Sequence, residues 1–135
     1  MSKELISKEQ IVPLILETCP SFKAVYDASD NKELNYLIAA ELADHLLKLH
    51  RKNDIGEFSY VAELIENLHV RGDSYVAEFA TIGILESIQN LWENNNASME
   101  YFESCLLPVS KKYWQSLNDF WDGKIPYVGF DIPDS

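Results

Sequence analysis

The sequence predicts an all-α protein, a single compact domain of about six helices. Three observations carry this reading. Apolar residues recur at spacings of three and four in segment after segment, polar turns and capping residues punctuate those segments, and strand-like alternation is missing throughout. At 135 residues and 47% hydrophobic, the chain is long enough to bury a core without staples.

The first helix is expected from about Ser7 to Thr18. Ser7 and Gln10 have capping-box spacing, and Ile11, Leu14 and Ile15 follow them. Pro13 falls within the first two turns, where few of the carbonyls it could disturb are already bonded. Pro20 starts a short second helix bearing Phe22, Val25 and Tyr26, which the polar run 27–31 ends. The third, from about Glu33 to Lys52, is rich in Leu and Ala and lacks Gly and Pro. Its Glu41, Asp44, His45 and Lys48 form a polar stripe with Glu41–His45 and Asp44–Lys48 pairs. Leu42, Leu46, Leu47 and Leu49 spread around the remainder, so most of the circumference must be covered.

Two further helices, about Phe58 to His69 and Ser74 to Trp92, flank Arg71-Gly72-Asp73. These letters spell an adhesion tripeptide. They also supply a glycine to end one helix in the left-handed conformation and an aspartate to cap the next, so structural punctuation is expected. On the second of these helices Val76, Ala80, Gly83, Ser87 and Leu91 share a face small enough for close approach by another helix. The last helical portion begins near Ser98, breaks at Pro108 and restarts with an aromatic stripe of Tyr113, Trp114, Leu117, Phe120 and Trp121. Gly123 is placed to end it, and residues 124–135 form an extended tail.

Twenty-two acidic against 11 basic residues leave a formal charge of -11. Such a chain repels nucleic acids and anionic membranes and favours basic proteins. Cys19 and Cys105 lie far apart without CxxC spacing, which predicts neither a disulfide nor a metal knuckle. With no apolar signal core and no run near the roughly 20 residues that span a bilayer, a cytoplasmic protein is expected. His45 and His50 fall on different helix faces, and a solvated stripe accounts for the Glu41–His45 pair, so neither metal nor cofactor is expected. G-x-S-x-G, H-E-x-x-H and glycine-rich phosphate loops are absent from the sequence, which points away from an enzyme.

Opposite the small-residue face lie Glu78, Ile82, Leu85, Glu86, Gln89 and Glu93. This mixture fits either a surface covered by a neighbouring helix or a protein-binding face, with apolar anchors and steering carboxylates. Glu63, Glu66 and Asp73 form an adjacent acidic rim in the second reading.

The stretch 64–91 resembles a HEAT-type helical hairpin, with Asp73, Val76, Ala80 and Leu85 in comparable places. In its size, acidity and helical character the whole chain resembles the immunity proteins of bacterial contact-dependent growth inhibition and related polymorphic toxin systems. That resemblance implies a non-enzymatic protein that neutralises one basic toxin, such as a ribonuclease or deoxyribonuclease, by covering its active site. The alternative is a helical adaptor or regulatory subunit for a basic protein partner. Under either expectation the partner-binding residues are Glu63, Glu66, Asp73, Glu78, Ile82, Leu85, Glu86, Gln89 and Glu93.

Overall fold

A computed structural model describes residues 5–123 of the chain. The expected tail, 124–135, lies outside the described residues. Among the described residues there are seven helices and no strand. They are α1 (Ile11–Thr18), α2 (Lys23–Ala28), α3 (Asn35–Arg51), α4 (Phe58–Arg71), α5 (Ser74–Glu78 continuing through Phe79–Leu85 and Glu86–Asn94), α6 (Glu100–Cys105) and α7 (Pro108–Trp121). Short 3-10 turns, Lys8–Gln10 and Pro20–Phe22, lead into α1 and α2. Pro20 and Pro108 open their helices at a position where the missing N–H has no helical partner to lose. Gln10 Oε1 accepts the Ser7 N–H at 2.9 Å, in keeping with the capping-box spacing.

α5 is the axis of the molecule. It packs on α3 along one side and on α4 and α7 along the other, while α1 and α6 lie against α4. The small-residue face expected to admit a neighbour is covered at Val76, Ala80 and Gly83. Leu42, Leu46, Leu47 and Leu49 of α3 are all buried, so that helix is covered over most of its circumference. Trp92 is wholly buried and donates its indole N–H to the Ala43 carbonyl at 3.1 Å, which joins α5 to α3 by a directed bond as well as by area. Of the aromatic stripe on α7, Trp114 and Leu117 enter the core and Trp121 stays outside. Gly123 follows α7 with φ 78°, a left-handed residue that ends the helix.

The junction at Gly72 departs from expectation. Gly72 is extended (φ -76°, ψ 151°) rather than left-handed. Ile6 lies parallel beside it, its N–H donating to the Arg71 carbonyl at 2.8 Å and its carbonyl accepting from Asp73 N–H at 2.9 Å. A Cβ at Gly72 would stand 2.3 Å from the Leu68 carbonyl oxygen and 2.5 Å from a Val76 methyl. Close approach therefore explains this glycine, and positive φ does not. Asp73 is the expected N-cap: its Oδ1 accepts the Val76 N–H at 3.0 Å.

Within α5, residues Phe79–Leu85 form a π-helical segment, with the Glu86 N–H bonded five residues back to the Thr81 carbonyl. Thr81 belongs to a buried polar knot that ties α4, α5 and α7 together. His69 Nε2 meets Thr81 Oγ1 at 2.7 Å, its Nδ1 meets Ser110 Oγ at 3.1 Å, and its ring stacks on Tyr113 at 4.9 Å. Burial pushes His69 down to about 4, against the opposing pull of Glu66.

Candidate functional site

A concavity of about 870 Å³ runs between α1, the entry to α3 and the start of α5. Val12 and Leu16 of α1 and Tyr26 of α2 supply its half-buried lining. Around it Leu34 (55% exposed), Leu37 (45%), Tyr75 (39%) and Tyr36 (37%) remain open to solvent. The backbone explains why they gather. Leu34 is the extended N-cap of α3, so Leu34, Tyr36 and Leu37 fan out over its first turn, and Tyr75 occupies the matching first turn of α5. Tyr36 then meets Tyr75 edge-on at 6.1 Å and Phe79 at 5.2 Å.

Charge edges the groove. Glu9 and Glu33 line it, and Glu78 lies close enough to raise the Tyr36 phenol further after burial has done so. Lys8 sits over the Tyr75 ring at 5.9 Å and Lys32 over Tyr26 at 5.6 Å. Those ring faces thus already receive ammonium groups from the chain itself, and an incoming cation could use the same surfaces.

A second concavity, about 570 Å³, lies on the other side of α1, against α4. Leu14, Glu17, Glu57, Tyr60, Glu63 and Leu64 line it. At its edge four polar side chains from three elements meet. Ser21 Oγ contacts both Glu57 Oε1 and, at 2.7 Å, His45 Nε2, while the Ser21 N–H donates to Glu57 Oε2 at 3.1 Å. The Cys19 thiol points at Glu57 Oε1 from 3.6 Å. Burial, with the nearby Glu57 charge, pushes Cys19 up to about 11, and burial lowers His45 against the opposing pull of Glu57. The result is a protonated thiol and a neutral imidazole beside one carboxylate. Glu57 bonds the serine, not the far nitrogen of the histidine, so the group lacks the orienting contact of a Ser-His-acid triad.

The residues expected to bind a partner do not form one face. Leu85 is 0% and Gln89 3% exposed. Gln89 donates its amide to the Trp114 carbonyl at 3.2 Å and so joins α5 to α7. Leu85 is covered because α5 packs on α3 along one side and on α4 and α7 along the other, and beyond it the π segment shifts the helical register away from a wheel drawn at 3.6 residues per turn. Ile88, Gln89 and Trp92 come to face the core. Ile82 and Glu86 are half-buried, and burial raises the Glu86 carboxyl.

Glu66 is also committed internally. Its carboxylate accepts from Val109 N–H (3.1 Å), Ser110 N–H (2.9 Å) and Ser110 Oγ (2.9 Å), capping α7. Burial pushes this carboxyl up, but the hydrogen bonds outweigh it and hold it below its ordinary value. Asp73 caps α5. Glu63, Glu78 and Glu93 remain exposed: Glu63 in the second groove, Glu78 near the first, Glu93 near the end of α5. The Asp44–Lys48 pair forms as expected at 2.9 Å, but His45 turns to Ser21, and Glu41 accepts instead from Ser29 and Asn31.

Sequence reasoning missed Leu34, Tyr36, Leu37 and Tyr75. Three of them crowd one helix turn, a density of large apolar residues that a single buried stripe could not absorb, and that was the available signal. No helix among the described residues is long and apolar enough to cross a membrane. Residues 12–122 match the model of a family described as a domain of unknown function, DUF7674. No curated protein and no solved structure matches the chain.

Proposed function

The chain belongs to the DUF7674 family of unknown function, and from its surface we propose that it works by binding, as an immunity-type protein that holds and neutralises one basic protein through the Tyr36–Tyr75 groove. The observation that carries this is the gathering of Leu34, Tyr36, Leu37 and Tyr75, all solvent-open, around one concavity. Exposed tyrosines and leucines around a pocket are the chemistry of interface anchors, in which buried aromatic area supplies the affinity. The formal charge of -11 adds long-range attraction for a basic partner. The tyrosine faces now visited by Lys8 and Lys32 would accept the partner's arginines.

The test is recovery of the partner from the native cell, followed by binding kinetics on the purified pair. The double variant Tyr36→Ala/Tyr75→Ala should weaken binding by about 30-fold or more, mainly through faster dissociation, with its helical circular dichroism unchanged. Glu78→Lys should slow association. Undiminished affinity in the double variant would exclude this groove. The partner expressed without the chain should arrest growth if it is a toxin, whereas harmless expression favours the adaptor reading.

A further inference from the structure

We propose that Cys19, His45 and Glu57 form a three-ligand site for a divalent cation of the zinc class, separate from the tyrosine groove and independent of the function proposed for it. The donors come from distant parts of the chain and from three firmly placed points. Cys19 is the C-cap of α1, His45 lies mid-way along α3, and Glu57 is the N-cap of α4. One sulfur, one imidazole nitrogen and one carboxylate oxygen lie within 4.8 Å of one another. Ligands at ordinary zinc distances stand about 3.5 Å apart along the edges of a tetrahedron. The 3.6 Å from Cys19 Sγ to Glu57 Oε1 already has that length.

The donor set selects the ion. A thiolate does not suit Mg²⁺ or Ca²⁺, a carboxylate does not suit Cu⁺, and zinc accepts sulfur, imidazole and carboxylate together. The Phe22 ring, buried and 5.7 Å from the His45 ring, limits the directions in which the imidazole can turn. Ser21 Oγ stands among the donors, 3.7 Å from Cys19 Sγ as well as in contact with the other two. It lies on an exposed turn, so it can swing aside or offer its oxygen as a fourth ligand. On coordination the thiol proton leaves to water, and the His45 proton moves to Nδ1 so that Nε2 can bind. Thr18, Pro20 and Glu57 line the α1–α4 groove, which gives water, or a side chain brought by another molecule, access beside the site.

The experiment uses tag-free, chelator-treated full-length chain titrated with Co²⁺, a spectroscopic stand-in for zinc. One ion per chain should bind, with intense visible bands of tetrahedral cobalt and a near-ultraviolet thiolate-to-cobalt band, all erased by Zn²⁺. Cys19→Ala should abolish the thiolate band, and His45→Ala should weaken binding by more than the roughly 10- to 100-fold typical of lost supporting contacts. Cys105→Ala should keep the spectrum. Absence of tetrahedral bands from the parent chain overturns the proposal whatever the variants do, as does a thiolate band that survives Cys19→Ala or vanishes with Cys105→Ala.

Discussion

Gly72 shows how a residue's purpose can be right in outline and wrong in mechanism. Its backbone is one any residue could adopt, but a Cβ would press on the Leu68 carbonyl and on Val76, neither of which can move without breaking a helix end. Gly72→Ala should therefore cost about 2 kcal/mol or more, read as a lower urea midpoint. His69 makes a prediction in pH. The buried imidazole is held near 4, whereas the unfolded one titrates near 6.5. Between these values the unfolded chain takes up a proton that the folded chain refuses. Stability is thus fully present above pH 6.5 and falls as the pH drops toward 4, by something on the order of 3 kcal/mol. Glu66, held below its ordinary value, extends the loss at lower pH. Urea titrations at pH 7.5 and 5 should show the fall, and His69→Gln should shrink the difference between them.

The helices themselves were legible because each is written in local terms. The Ser7–Gln10 spacing, the Leu-rich run of α3, Asp73 as a cap and Gly123 as a stop depend on neighbours a few residues away. The π segment was not legible. It leaves no compositional mark, and the choice between a covered and an open face at Leu85 and Gln89 is made by the packing of α3, α4 and α7 around α5, which buries both. Gly83 lies inside the π segment, where a Cβ would come within 2.8 Å of the Phe79 ring. That ring is buried against Tyr36, so it cannot retreat as a flexible chain end would. Alanine gains about 1 kcal/mol of helix propensity over glycine, while overpacking costs about 1–3 kcal/mol. Gly83→Ala should consequently destabilise the protein modestly in thermal unfolding, the reverse of the usual result at a helix interior.

Across the whole molecule, like charge outweighs pairing. Two ion pairs, Lys23–Asp27 and Lys48–Asp44, are found among the described residues, both exposed and both within one helix, a class worth about 0.3–0.5 kcal/mol each. Against a formal charge of -11 they offset little, so raising NaCl from about 10 to 150 mM should raise the melting temperature by a few degrees through screening. A fall with salt would mean that pairing dominates. The groove was not legible in the sequence, because it is assembled from Val12, Tyr36 and Tyr75 on separate elements. The Cys19–His45–Glu57 group was hidden for the same reason, its spacing matching no local motif. The strand-like contact of Ile6 with the turn at Gly72 is also a matter of the whole chain, and it bears on kinetics. It links the start of the described residues to the end of α4, so it closes a long loop whose entropy no local helix formation offsets. A contact that closes so long a loop is expected to form late, as a latch on the finished structure, so Ile6→Ala should speed unfolding more than it slows refolding in stopped-flow measurements.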